Sequence, residues 1–294
     1  MVIKKSLGEH VFDNFNYIFL GFITFLCLYP MLYVLFASIS EPTKLIQHSG
    51  LLLKPIGFTT AGYKVVLGNP NIYSGYKNTL IYVIGGTSIS IFMSSLGAYA
   101  LSCSDFMFKK PMMMMIVITM YFGGGLIPNF LLIQGLGLLN TRWAILVPGA
   151  IGTWNMIVMK TSFAAIPHSL RESARIDGAN DFTVLFKIIM PVAKATLAVQ
   201  ILFYSVGNWN AWFGAMIYLR NKALWPLQLF LREILIGNSA SGNVVESFDD
   251  VASGFVDVII KYCTIIISTL PVLAVYPFCQ KYFVKGIMVG SLKG

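Results

Sequence analysis

Six long apolar runs restrict this chain more than any other feature. They lie at about residues 15–39, 78–103, 112–134, 143–163, 192–219 and 259–281. A helix needs roughly 20 predominantly apolar residues to cross a bilayer. Each run is long enough, and none carries Lys, Arg, Asp, Glu or His in its central part. Lipid offers no partner to a bare backbone amide, so spanning segments must satisfy their own hydrogen bonds. The runs therefore predict an all-α membrane protein with six transmembrane helices. Composition agrees: 56% of residues are hydrophobic and 11% charged, where soluble domains carry about 25% charge.

The first run is longer than a signal-peptide core and reads as a first transmembrane helix. Pro30, Pro128, Pro148 and Pro271 fall inside runs and predict bends, because each leaves a carbonyl without its usual donor. Cys27, Cys103, Cys263 and Cys279 are spaced too widely for a zinc site and read as small packing residues. The methionines at 112–115 read as lipid-facing or core filler.

Six spans put both termini on one side. Twelve Lys and Arg fall with the termini, the 104–111 link and the 164–191 gap, counting Lys160, Lys194 and Lys281 at the adjoining run ends, against nine on the other side. The positive-inside rule places the richer side in the cytoplasm. The predicted organisation is a cytoplasmic N-terminus (1–14), a six-span domain (15–281) and a cytoplasmic tail (282–294). The formal charge of +9 suits anionic lipid headgroups. Scattered basic residues form no nucleic-acid stripe.

The spans are as informative in what they lack. Ionisable groups within a membrane usually mark proton or ion pathways. His10, His48 and His168 are far apart, and no metal-ligand or nucleophile motif appears. No G-x-x-x-x-G-K-[ST] loop is present, since the run Gly123-Gly124-Gly125 lacks the lysine. A pump built from this chain would need a partner to supply energy. The rival classes are an ion-coupled secondary transporter, which needs coupling-ion ligands, and a non-transport scaffold or enzyme, which needs another site.

The 167–191 gap reads as a surface for such a partner. Pro167 predicts a helix start, and Ser169 with Glu172 fits a capping box. At helical spacing Leu170, Ser173 and Ala174 share one face and Arg171 and Arg175 another. Gly178 can take the left-handed angle that ends a helix. Ser173 and Ala174 are small enough to let a partner's backbone approach, and Glu172 can pair with a cation. Pro191 is expected to open the fifth span in its first turn.

Here the sequence resembles a known family. Glu172-Ser173-Ala174, three residues, Gly178, nine residues and Ile188-Ile189-Met190-Pro191 match the anchor spacing of the EAA loop of ATP-binding-cassette (ABC) importer permeases. Ser173 replaces the alanine at the motif's second position and Met190 the usual leucine. The stretch Gly137-Leu138-Leu139-Asn140-Thr141-Arg142-Trp143-Ala144 and the tail from Lys285-Gly286 to Lys293-Gly294 resemble the carbohydrate branch, the maltose-type (MalG-like) permeases. Tyr121-Phe122-Gly123-Gly124-Gly125-Leu126-Ile127-Pro128 resembles the LplC/YtcP-like oligosaccharide group.

That resemblance implies a type I importer permease fold, with a coupling helix between spans 4 and 5 in a bacterial plasma membrane. It implies that Glu172, Ser173, Ala174, Gly178, Ile188 and Pro191 meet a cytoplasmic ATPase. The implied partners are a second permease, two ATPase subunits that hold ATP and Mg, and an extracellular substrate-binding protein. This subunit would carry no cofactor and catalyse no reaction.

A sugar path is expected along the fifth span, where Gln200, Tyr204 and Asn208 recur every four residues and Trp212 continues the face, with Trp209 beside it. Amides and aromatic rings suit hydroxyl-rich ligands. Trp154 and Asn155 offer the same chemistry on the fourth span. The alternative is that the amides join helices and the tryptophans sit at the interface. The acidic stretch Glu246, Asp249 and Asp250 reads as a solvated outer face, with binding-protein docking as the second reading.

Overall fold

The computed structural model describes residues 6–240, 258–275 and 277. The acidic stretch at 246–250, Cys279 and the 282–294 tail lie outside them. Among the described residues the regular structure is helical. The chain divides into two compact units, Met1–Asn69 with Glu233–Leu270, and Pro70–Arg232 with Pro271–Gly294.

The first unit opens with α1 (Leu7–Ser38), started by a reciprocal Ser6–Glu9 capping box. Its apolar side chains are largely exposed, with Phe15, Ile18 and Phe22 at 60% or more. That is the surface of a helix facing lipid. Pro30 lies within α1, which continues past it. Short helices α2 (Pro42–Gln47) and α3 (Ala61–Gly68) follow. Tyr63 bonds the Ser38 hydroxyl at 2.7 Å, and Cys263 Sγ donates to the Ser38 carbonyl at 3.2 Å. Cys263 is thus a packing residue, whereas Cys27 is exposed.

The second unit is arranged around α4 (Pro70–Ser102). After it come α5 (Lys109–Tyr121), α6 (Leu126–Gly135), α7 (Trp143–Leu146), α8 (Thr153–Ala164), α9 (His168–Ile176), α10 (Asp181–Val184), α11 (Met190–Val192), α12 (Lys194–Asn210), α13 (Phe213–Tyr218) and α14 (Leu227–Ala240). A final helix, α15 (Val258–Val275), belongs up to Leu270 to the first unit. α8 and α12 pack along α4. Glycines permit the approach: a Cβ on Gly86 would meet Asn208 Nδ2 at 2.8 Å, and one on Gly97 would meet Met156 Sδ at 2.8 Å. The helices are joined by hydroxyl and amide bonds, among them Ser94–Tyr204 at 2.7 Å and Ser162–Thr196 at 2.8 Å. Within lipid such bonds average about 0.6 kcal/mol each.

Several runs are not single helices. Leu7–Ser38, Pro70–Ser102 and Val258–Val275 are each long and apolar enough to cross a membrane. Two bent pairs raise the number to five if each forms one span. The third run bends by 115° between α5 and α6, where Gly125 adopts φ 83°. The fourth run breaks between α7 and α8, across Pro148. The fifth is bent at its start, where Asp181–Val192 meets Lys194–Asn210 at 89°, and breaks again after Asn210. Pro191 does not open α12; it is the second residue of α11, before the bend. A π-helical turn, Leu185–Ile189, precedes it. Pro191 has no N–H to give the Lys187 carbonyl, and a wider helical register is one way to absorb that loss.

Candidate functional site

At the Ser102 end of α4 the chain holds a short exposed helix, α9, against its own core. The Ser169–Glu172 capping box does not form. Pro167 is the N-cap residue, and it offers no side-chain cap. Ser169 therefore lies inside the helix. Glu172 Oε1 sits 3.0 Å from His168 Nδ1, one turn earlier. The C-terminal expectation holds. Gly178 takes φ 80°, its N–H donates to Arg175 O at 3.0 Å, and Ala179 N–H donates to Ala174 O at 2.9 Å. These two bonds form a Schellman turn, closing two orphan carbonyls. Asn180 then caps α10 through Thr183 N–H at 2.8 Å.

The inner face of α9 differs from the sequence expectation. Arg171 is only 5% exposed. Its Nη2 donates to Phe163 O at 2.7 Å and Ser102 Oγ at 3.0 Å, and its guanidinium lies 5.5 Å from the Tyr99 ring centroid. One charge thus ties α9 to the ends of α4 and α8. Ala174 is buried beside it, in a core with Ala98, Met159, Phe163, Val184, Leu185 and Ile189. Ala174 packs within this chain, so its small size serves an internal contact. Ser173 and Glu172 remain exposed, and Ile176 is 86% exposed. Ile188 is half-buried against the same core.

A second set of bonds holds the outer edge. Arg175 bridges Asp105 at 3.3 Å and Asp181 at 3.1 Å. Tyr99 donates to Asp181 at 3.0 Å, and Ser104 Oγ bonds His168 Nε2 at 3.1 Å. The Arg175 guanidinium holds the Asp181 carboxyl below the usual carboxylate range, assisted by Tyr99. The Ser104 hydroxyl and then Arg175 do the same for Asp105. Arg175 is raised in turn, chiefly by Asp181. These groups are largely exposed, so solvent screens the pairs.

Sequence reasoning missed Tyr99, Asp105 and Asp181, which lie far from α9 or beyond its turn. The Asn180-x-x-Thr183 cap was legible but not read. Arg171 was assigned the face of Arg175. Its burial follows from where Phe163 and Ser102 end their helices, which no local pattern encodes.

The comparisons with known proteins say what kind of machine this helical bundle belongs to. Residues 3–241 match the family model for the binding-protein-dependent transport system inner membrane component. The chain belongs to this family. This permease is 38% identical over 290 residues to the polygalacturonan/rhamnogalacturonan transport system permease protein YtcP of Bacillus subtilis (strain 168), covering 98% of this chain and 100% of the relative. It is 36% identical over 295 residues to Protein LplC of the same organism, covering 99% and 98%. A solved bacterial ABC transporter involved in the import of the acidic polysaccharide alginate matches with a TM-score of 0.86 and 33% identity. The match covers 95% of this chain and 99% of that one. The chain is therefore a permease subunit of an ABC transport system, embedded in the membrane.

The permease turns most of the expected path residues inward. Gln200 is 0% exposed and neither amide atom has a protein partner. Tyr204 is buried between Ser94 Oγ and the Gly152 N–H, at 2.7 and 3.1 Å. Asn208 donates to Thr87 Oγ1 at 3.4 Å. Trp209 is buried edge-on to Tyr76. In this conformation that face packs α12 against its neighbours. Trp154 is exposed in a groove between α8 and α12 that Asn155 does not line. Trp212 is half-buried under Arg232.

Proposed function

We propose that this permease forms half of an oligosaccharide importer and that α9 is its coupling helix. The carrying observation is the division of α9 into a clamped inner face and a bare outer one. Arg171 and Ala174 face the permease core, while Glu172, Ser173 and Ile176 are left for a partner. A lever needs both: rigid attachment to the load and an accessible input. In this reading Glu172 pairs with a cation of a cytoplasmic ATPase subunit and Ser173 packs against it. Gly178 fixes the exit, and Ile188 and Pro191 lie on the elbow that leads into α12.

α5 with α6, α7 with α8 and α12 with α13 each count as one span, giving six spans with both termini cytoplasmic. Partners are a second permease, two ATPase subunits that bind ATP and Mg, and an extracellular binding protein. Closure of the ATPases pushes α9, which moves α4, α8 and α12 together and alternates access. The sugar assignment draws on relatives named for pectin-type polysaccharides and for alginate. Trp154 and Trp212 are the path candidates with exposed or half-exposed ring surface.

Charge reversal tests the input. In the importer purified with its partners, Glu172→Arg should reduce substrate-stimulated ATP hydrolysis and uptake at least tenfold, with the permease still folded. Wild-type uptake by that variant would remove Glu172 from the interface.

A further inference from the structure

Three lysines share one groove between α5 and α8. Lys109 and Lys110 open α5, and Lys160 lies on α8, four residues before its end. They line a cavity of about 590 Å³ with Met113, Met114 and Ile118 among others. No carboxylate is among the described residues that line it. Asp105 is the only acidic residue between 70 and 171, and Arg175 engages it at 3.3 Å. Lys109 Nζ donates to the Cys103 carbonyl at 3.2 Å. Lys110 and Lys160 make no ion pair among the described residues.

Lys160 is the costliest of the three. It is half-buried and stands ~6 Å of helix from Ala164, at about 1.5 Å per residue. A charge on a membrane helix needs polar surroundings or an anion. The neighbouring helix faces lipid: α5 has no buried residue, and Met114 is 67% exposed. α5 also starts without a side-chain cap and without an acidic residue in its first turn. The positive end of its dipole therefore adds to the ammonium groups. Lys110, Met114 and Ile118 recur every four residues, so a cation and then apolar groups follow one another along one helix face. Charge followed by hydrocarbon is also the order of groups in a membrane phospholipid. The flexible methionine side chains suit an irregular acyl chain, which gives the 112–115 run a use beyond filler.

We propose that this groove binds an anionic phospholipid. Its phosphate lies among Lys109, Lys110 and Lys160, and an acyl chain runs along Met114 and Ile118. Basic pockets between membrane helices take such headgroups. Lys160 is three residues before Phe163, whose carbonyl holds Arg171. The lipid thus braces the helix end that carries α9. The inference needs only the membrane setting of the chain, and neither the orientation nor the substrate proposed above.

For the test, the importer purified with its partners is delipidated and titrated under native mass spectrometry. The probes are dioleoylphosphatidylglycerol and the zwitterionic dioleoylphosphatidylcholine. The wild type should prefer phosphatidylglycerol by about tenfold or more. Lys110→Gln with Lys160→Gln should remove most of that preference and leave phosphatidylcholine unchanged, whereas Lys110→Arg with Lys160→Arg should keep it. Met114→Trp narrows the groove, keeps every charge and should weaken phosphatidylglycerol as well, which guards against a glutamine variant that does not fold. Equal binding of the two lipids by the wild type would overturn the proposal, as would unchanged phosphatidylglycerol affinity in the glutamine or the tryptophan variant. Displacement of the lipid by its deacylated headgroup, glycerophosphoglycerol, at similar affinity would assign the lysines to a free phosphate and overturn the lipid. Wild-type importer that takes up no phosphatidylglycerol would mean that a partner subunit or another part of this chain fills the groove, and would overturn it too.

Discussion

The two ends of α4 solve the problem of charge beside a membrane in opposite ways. At the Ser102 end Arg175 meets two carboxylates, and Arg171 is buried among a carbonyl, a hydroxyl and an aromatic ring. At the Asn78 end the cations meet amides, sulfur and rings: Arg142 donates to Asn78 Oδ1 at 3.2 Å, and Arg232 lies 4.4 Å from the Trp212 centroid. Residues 78 and 102 are separated by ~36 Å of helix at about 1.5 Å per residue. Carboxylates and a carbonyl fasten α9 in place, whereas Arg142 and Arg232 brace the Asn78 end on uncharged groups.

The largest effect should come from removing the clamp. Arg171→Leu strips the Phe163 carbonyl and Ser102 hydroxyl of a charged donor, a loss of about 3 kcal/mol at most for such bonds. Hydrogen exchange of the α9 amides should rise by about 100-fold, and the importer should hydrolyse ATP with little uptake. Unchanged protection in α9 would show that the apolar core, not the guanidinium, holds it.

Next in size is the turn. Gly178 has open space around it but a left-handed angle, so Gly178→Val should destabilise the α9–α10 connection by about 1–2 kcal/mol. Gly178→Asn should restore most of the loss. Thermal unfolding and uptake measure both. Equal behaviour of the two variants would mean that space, not backbone angle, governs the site.

The smallest effect distinguishes the two ends by acid. Asp105 and Asp181 have lowered pKa values when folded. Their contribution is complete above the unfolded value of about 3.9 and is lost as pH falls through the lower folded values. A spin label at Ser173→Cys should keep constant mobility from pH 7 to 5 and loosen below about pH 4. A label at Leu139→Cys, towards the other end of α4 from these aspartates, should not follow that transition. Loosening of α9 already near pH 6 would assign the restraint to groups other than these aspartates.

Much of this permease was legible locally. Apolar runs announce membrane helices because lipid penalises any other backbone arrangement. Gly178 announced its turn because glycine alone takes the left-handed angle freely. The spacing from Glu172 to Pro191 announced the family. The breaks were harder. Pro148 announced the break between α7 and α8, whereas Gly123-Gly124-Gly125 permits a bend without requiring one.

The sequence by itself determined the solvent of this protein, the position of its exposed polar helix and the absence of acidic residues from most of its second unit. Only the tertiary structure decided which side of α9 faces inward. It put Arg171 and Ala174 in the core and left Ser173 outside, buried Gln200 and Tyr204 against neighbouring helices, and brought Asn140 to Arg220 across 80 residues. The physical reason is range. Backbone propensity and transfer from water act within a few residues, whereas burial and charge pairing depend on where distant helices end.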